Sequence, residues 1–521
     1  MKVISAEQMK DLEGRAIAEC GISGETLMER AGKGVADSIS ELARISEVAR
    51  PRVLFAAGKG NNGGDAFVAA RILVEQGVDA EVWLAGTNDQ VRGDAKTQMV
   101  KMSESGVRMR QMPMESDWEG ISSIDMNWDI VVDGLIGTGL KGAVKALTAS
   151  AIAFVNRASR RSLVMAIDLP SGLNADMQET VGEAVHADLT VTMGLPKHGL
   201  LTASGIECVG NLKVVDLGIS PAFIEHLECP LELIVAEEVR ALFGRRPRNA
   251  HKGSFGHVLI VGGSAGRSGA IVMAAQAALR SGVGLVSVVT PRSVWSNVAA
   301  SMKEAMVFAG EETTSGVLTP DFWPDGVKDL KAFDAVLVGP GMGTQDECRL
   351  VVMDIIRRCK VPLVLDADAL NVHKRRDRLI PTATCAVIMT PHPGELARFM
   401  AEDVAVIQSD RLDACRRAVE ATKATVVLKG AGTIVAASGE KPAVNMTGNP
   451  GMAKGGSGDI LAGIIVGLLG QGLAPVAASK AGVYIQGRAG DRAALRLSQA
   501  GMLARDIIDE IPFVMRELCG R

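Results

Sequence analysis

Aromatic side chains are scarce in this sequence: they make up 3% of it, and a single tyrosine is present. So thin a supply argues against a base-stacking platform for nucleic acid. An excess of one charge is missing too. The formal net charge is −4, which leaves no basic footprint for nucleic acid. Cysteine pairs are absent: Cys20, Cys208, Cys229, Cys348, Cys359, Cys385, Cys415 and Cys519 are scattered, with no C-x-x-C. That reads as a reduced, intracellular protein of the cytoplasm without structural zinc. No apolar run reaches membrane-spanning length, so no membrane partner is expected. Glu7 comes before any apolar core, so no signal peptide is expected either. Finally, no G-x-x-x-x-G-K-[ST] occurs, and any nucleotide must be held without a P-loop.

What remains is ample for folding. Apolar residues make up 47% of 521 residues, enough for two or three soluble domains. The most telling stretch runs from Asn449 to Gly463, Asn-Pro-Gly-Met-Ala-Lys-Gly-Gly-Ser-Gly-Asp-Ile-Leu-Ala-Gly. From Ile460 onward the apolar residues recur one helical turn apart, which predicts a buried helix. Gly456, Ser457 and Gly458 would then lie at its N-terminus, where unpaired N–H groups and the helix dipole favour an anion. Asp459 beside that anion would repel it, unless it takes a proton from a nucleophile attacking the anion. The alternative is an ordinary helix cap.

Elsewhere the chain alternates strands with helices, which predicts parallel sheets covered on both faces. Ser5 and Gln8 form a capping box for a first helix. Val53 to Ala57 reads as a strand, followed by Gly58-Lys-Gly-Asn-Asn-Gly-Gly-Asp65 and a helix to about Gln76. The glycine spacing is that of a dinucleotide fingerprint. Yet the next strand, Glu81 to Ala85, ends in Gly86-Thr87 with no carboxylate for a ribose, which argues against a plain NAD-dependent dehydrogenase. Further strands at 129–133 and 163–167 put Asp133, Asp168 and Ser171 at the same sheet edge as Asn61, Asn62 and Asp65. Shorter strands are expected near 189–192 and 212–215. Pro221, Pro230 and Arg245-Arg-Pro-Arg248 mark a join. A second alternating unit begins at Val258 and ends its strands in Gly262-Gly-Ser-Ala-Gly, Gly339-Pro-Gly-Met-Gly343, Asp366-Ala-Asp-Ala-Leu370, Thr390-Pro-His-Pro-Gly-Glu395 and Lys429-Gly-Ala-Gly-Thr433. His392, between two prolines at a strand end, reads as functional. Lys429 could meet a phosphate.

These motifs together resemble the family of bifunctional NAD(P)H-hydrate repair enzymes, over essentially the whole chain. That family joins an NAD(P)H-hydrate epimerase domain to an ADP- or ATP-dependent dehydratase domain of the ribokinase-like fold. The resemblance rests on the runs at 58–65, 133–139, 168–173 and 251–256, and on Gly-Pro-Gly-Met-Gly, Asp-Ala-Asp-Ala-Leu, His-Pro-Gly-Glu and Gly-Gly-Ser-Gly-Asp. It implies two doubly wound α/β domains, Rossmann-like over 1–225 and ribokinase-like over 226–521. In the first, Asn61, Asn62, Gly63, Gly64, Asp65, Gly137, Thr138, Gly139, Leu140, Lys141, Gly142, Ala143 and Asp168 would hold the hydrated dinucleotide. Asn62, Asp133 and Ser171 would ligate K⁺. In the second, Ala270, Gly341, Gly343, His392 and Asp459 would line the hydrate site. Lys429, Gly430, Ala431, Gly432, Thr433, Gly456, Ser457 and Gly458 would hold ADP or ATP with Mg²⁺. Arg267 stands where the family often has an aromatic, and Lys454 and Ser457 where it has threonines.

The implied chemistry makes Asp459 the base that frees the C6 hydroxyl to attack the terminal phosphorus, with phosphate then eliminated. Asp168 would move a proton during epimerisation. The expected partners are hydrated NADH and NADPH and the adenine nucleotide, in a homo-oligomer. Two rivals are a sugar or vitamin-alcohol kinase with an accessory dinucleotide-binding domain, and a non-catalytic dinucleotide sensor.

Overall fold

The computed structural model describes residues 1–121, 127–140, 142–176, 182–373 and 380–520. They form two compact units that divide after Pro230, Met1 going with the second. The first is built on seven parallel strands: β1 (Arg52–Ala57), β2 (Asp79–Leu84), β3 (Arg108–Gln111), β4 (Ile130–Gly134), β5 (Leu163–Ile167), β6 (Leu189–Met193) and β7 (Asn211–Val215). Their order is β3-β2-β1-β4-β5-β6-β7. The chain winds outward from β1 in one direction and from β4 in the other, so the switch point lies between their carboxyl ends, where Ala57 pairs Gly134. The central strands are apolar runs buried on both faces, as a covered parallel sheet requires. β3 reads Arg-Met-Arg-Gln and is a mostly exposed edge. It carries no apolar run, so the sequence reading passed over it.

Three helices flank this sheet's site: α1 (Ala6–Cys20), α2 (Gly24–Ile45) and α3 (Asn61–Glu75). The Ser5–Gln8 capping box is present, with Ser5 Oγ accepting from the Gln8 amide at 3.1 Å and Gln8 Oε1 from the Ser5 amide at 2.9 Å. Trp83, Trp118, Trp128 and Phe154 form one aromatic cluster in this unit. Trp83 meets Trp128 edge-on at 4.9 Å between centroids, and Phe154 lies 5.3 Å from Trp83.

The second unit has ten strands: β8 (Glu232–Leu233), β9 (His257–Val261), β10 (Leu285–Pro291), β11 (Met306–Gly310), β12 (Ala335–Val338), β13 (Leu363–Leu365), β14 (Val387–Met389), β15 (Thr425–Leu428), β16 (Thr433–Ala436) and β17 (Ala443–Asn445). The order is β11-β10-β9-β12-β13-β14-β15-β16-β17-β8. This sheet departs from the expected all-parallel pattern, because β15–β16 and β16–β17 are antiparallel. The physical reason is short range. Only four residues, 429–432, separate β15 from β16, a span that joins antiparallel strands and is too short for a crossover.

Helices α4 (Ser268–Arg280), α5 (Pro393–Met400) and α6 (Ser457–Gly470) carry residues of interest. α6 is the helix anticipated at Ile460, and residues 460–470 are buried on every side, as a helix apolar all round must be. Burying each of its Ile and Leu side chains contributes about 1.5–3 kcal/mol. Its backbone presses on α4: a Cβ on Gly463 would stand 2.1 Å from the Ala274 carbonyl oxygen. Among the described residues no helix is long and apolar enough to cross a membrane. All eight cysteines are free thiols.

Candidate active sites

In the first unit the glycine-rich run becomes the opening turns of α3. Asn61, Asn62, Gly63, Gly64 and Asp65 are its first five residues. Asn62 is buried, and its Nδ2 has no hydrogen-bond partner. Opposite it, at the end of β4, Asp133 is fully buried. Ser171 donates to Asp133 from its hydroxyl at 2.6 Å and from its amide at 2.7 Å, and the Leu135 amide adds a third bond at 3.2 Å. Burial nevertheless pushes the Asp133 carboxyl up to about 6, those hydrogen bonds only partly offsetting it. Among the described residues no cationic side chain pairs with Asp133. An amide, a carboxylate and a hydroxyl are hard oxygen donors, and a buried carboxylate lacking a cation fits K⁺. The Ser171 hydroxyl is already committed to Asp133 and accepts from the Ile136 amide at 2.9 Å, so one lone pair remains for an ion.

Asp168 follows β5 with φ of +63°, a conformation costly for a residue with a side chain. Its Oδ1 accepts from Lys197 Nζ at 2.6 Å, Thr192 Oγ1 at 3.1 Å and the Met193 amide at 3.2 Å. Asp65 faces it from α3 and Glu13 from α1. Burial, then the charges of Asp168 and Glu13, hold Asp65 well above the usual carboxylate range. Burial first, and Asp168 in part, also raise Glu13, against the pull of Lys197. Gly137 borders the same space. Thr138, Gly139, Leu140, Gly142 and Ala143 form the loop beyond β4, its tip exposed, while Lys141 lies outside the described residues.

In the second unit Gly456 caps α6 at φ of +98°, a left-handed turn suited to glycine. Asp459 sits in the first turn and is half-buried, not sealed in the fold. Burial, then the Asp366 carboxylate, raise it to about 7; Lys429 opposes, while Asp368 and Glu395 add to the rise. Lys429 Nζ donates to Asp366 Oδ1 at 2.8 Å and lies 3.6 Å from Glu395 Oε2. A Cβ on Gly458 would be 3.1 Å from the same ammonium. Burial is the largest influence on Lys429 and would lower it, but Asp366, Glu395 and Asp459 together hold it above its usual value. Thus Lys429, Gly458 and Asp459 meet at the head of α6. The expected phosphate lysine is turned toward two carboxylates, because a buried ammonium is costly without counter-charge.

One expectation needs correction in detail. Of the amides at 456–458, that of Ser457 is not bare: it donates to the Lys454 carbonyl at 3.3 Å, closing the turn into α6. The Ser457 hydroxyl donates to the Met452 carbonyl at 2.7 Å. Lys454 is likewise committed, its ammonium held by the carbonyls of Ala500 and Met502. His392 has a structural task as well. It is the N-cap of α5, its Nδ1 accepting from the amides of Gly394 at 3.0 Å and Glu395 at 3.2 Å. That leaves the ring proton on Nε2, on a half-exposed side chain.

Gly343 and Arg267 join through Asp368. Its Oδ2 accepts from the Gly343 amide at 2.8 Å and pairs with Arg267 at 3.4 Å. A Cβ on Gly341 would be 3.1 Å from Ala270 Cβ. Gly430, Ala431 and Gly432 form the β15–β16 turn, closed by Thr433 Oγ1 donating to the Gly430 carbonyl at 2.7 Å. Arg411 clamps this turn through the carbonyls of Leu428, Lys429 and Ala431.

A family model described as NAD(P)H-hydrate dehydratase matches residues 258–513, and one described as YjeF-related protein N-terminus matches 24–199. The bifunctional NAD(P)H-hydrate repair enzyme Nnr of Moorella thermoacetica is 39% identical over 99% of this chain and 97% of its own. The chain belongs to the bifunctional NAD(P)H-hydrate repair enzymes. The relative from Escherichia coli is 34% identical, covering 97% of this chain and 92% of its own. A crystal structure of ADP/ATP-dependent NAD(P)H-hydrate dehydratase from Bacillus subtilis with ATP/Mg²⁺ covers 55% of this chain and 98% of its own, at 30% identity and TM-score 0.48. Membership in the hydrate repair enzymes leaves the kinase and sensor readings without support. Within this repair-enzyme fold, sequence reasoning missed Lys197, Glu13 and Arg411 and gave Asp366 no task. Lys197 carried one signal: a lone lysine inside the apolar run Gly194-Leu-Pro-Lys-His-Gly-Leu-Leu201.

Proposed function

We propose that residues 1–225 interconvert the two C6 epimers of hydrated NADH and NADPH, and that residues 226–521 dehydrate one of them at the expense of ADP or ATP. The observation that carries the reading is Asp459, raised to about 7 at the head of an open helix N-terminus beside Lys429. A base with that proton affinity is matched to neutral pH. Asp459 takes the proton of the C6 hydroxyl. The freed oxygen bonds to the terminal phosphorus as the nucleotide leaves. Phosphate then departs with the C6–O electron pair, a C5 proton is lost, and the C5–C6 double bond returns. The amides of Gly456 and Gly458 stabilise the transferring oxygens, with Lys429 adding charge.

Ala270, Gly341, Gly343 and His392 line the hydrate side, and the turn 429–433 holds the nucleotide. Mg²⁺ bound with the nucleotide would screen its phosphates. Asp366 fits it as a donor, because its Oδ2 is buried without a hydrogen-bond partner. In the first unit Asn61 to Asp65 and Gly137 to Ala143 embrace the dinucleotide, and Asp168 moves the proton. Asn62, Asp133 and Ser171 would hold K⁺, which would supply the missing counter-charge. The cytoplasm is the compartment that eight free thiols favour.

The test is product analysis. Hydrated NADH, both epimers, is incubated with the enzyme and ADP or ATP. Regenerated NADH with free phosphate is expected; a stable phosphoester would indicate a kinase instead.

A further inference from the structure

Asp168 is held asymmetrically. All three hydrogen bonds it receives, from Lys197, Thr192 and the Met193 amide, end on Oδ1. Oδ2 receives none among the described residues. It faces the space above Gly137 instead, where a Cβ would come within 3.4 Å of it and 3.1 Å of Asn62 Oδ1. Lys197 is among the largest fully buried side chains, and its side chain is 1% exposed. It also donates to the Met193 carbonyl at 2.8 Å and contacts Thr192 Oγ1 at 3.2 Å, so its head has one position. A buried lysine is expensive, and a surface or apolar residue would serve packing better.

We infer that Lys197 is the positioning residue of the epimerase site: it locks Oδ1 of Asp168 and so commits Oδ2 alone to the dinucleotide. This rests on the proposed proton-transfer role of Asp168. Thr192 is the second strut, since it touches both partners. The lock also accounts for the φ of +63° at Asp168: three donors on one oxygen hold a backbone that would otherwise relax.

The experiment is a double-mutant cycle on the full chain, read as epimer exchange of hydrated NADPH. Lys197→Met is expected to lower kcat by about 10²-fold, the scale of a misplaced catalytic group, with KM unchanged within about twofold. In an Asp168→Asn background the same substitution is expected to add nothing, because the lock that Lys197 supplies is on Asp168. Additive losses, or a rise in KM without a fall in kcat, would overturn the positioning role. If Asp168→Asn alone exchanges epimers at the parent rate, the role of Asp168 itself fails, a result separate from failure of Lys197. Should Lys197→Met not fold, Thr192→Val replaces it in the same cycle. It is expected to show a smaller kcat loss of the same pattern, and an unchanged kcat would overturn the lock.

Discussion

Both units set an aspartate–lysine pair at the carboxyl edge of a sheet, yet they use it differently. In the first, Lys197 grips Asp168 itself at 2.6 Å. In the second, Lys429 grips Asp366 at 2.8 Å, and the carboxylate proposed as the base, Asp459, stands beside the pair. The difference separates two uses of a buried lysine. A carboxylate that owns a lysine has one oxygen fixed by it. One that sits near a lysine already claimed by other carboxylates rises to about 7. Like charges and burial then make a base suited to deprotonating an alcohol.

The largest expected effect comes from removing the second lysine. Lys429→Met leaves Asp366 buried without its cation, and is expected to cost about 3–5 kcal/mol of stability in the second unit. Urea unfolding should read this as an early transition in that unit only. A loss below about 1 kcal/mol, the usual scale of a surface pair, would break the likeness between the two pairs.

Next comes the cation proposed for the first unit. Asp133 is raised in the folded state to about 6 from 3.8. Its protonated form therefore contributes stability that is full below pH 3.8 and is lost as pH rises through about 6. At pH 8 the fold carries an ionised, unpaired carboxylate, and K⁺ is expected to stabilise it by about 2.7 kcal/mol at a hundredfold excess over Kd. At pH 5 the gain should shrink, and Asp133→Asn should abolish it. Equal K⁺ effects at both pH values in a thermal melt would separate Asp133 from the ion.

The smallest effect distinguishes cap from chemistry. α5 has a side-chain cap in His392, whereas α3 has none at Gly60. His392→Ala should cost about 1 kcal/mol. A larger fall in dehydration than that unfolding predicts at assay temperature would show that Nε2 also serves the hydrate; no excess would leave His392 as cap alone.

Much of this arrangement was legible in the sequence. The central strands were, because parallel strands buried on both faces are unbroken apolar runs, and β12, β13 and β14 begin and end where such runs do. The edges were not. β3 is charged, and β8 has two residues. The strand-end Asp, Asn and Gly of each site were readable because ligand edges follow from the winding of the sheet. The lysines were illegible as partners: Lys197 lies 29 residues from Asp168 and Lys429 lies 63 from Asp366. Only folding brings such charges together, and no local pattern encodes it. The Ser457 amide was misread because the tight turn at Lys454 closes on it.

The measurement that bears most directly on all of this is nucleotide-dependent recovery of NADH absorbance by Asp459→Asn across neutral pH. The parent rate should climb as pH rises through about 7, where Asp459 loses its proton. The Asn enzyme should run about 10²–10³ slower with no inflection, while epimer exchange in the first unit continues at the parent rate. An Asn enzyme that restores NADH at the parent rate, or a parent profile flat through neutrality, would contradict a base at the head of that helix.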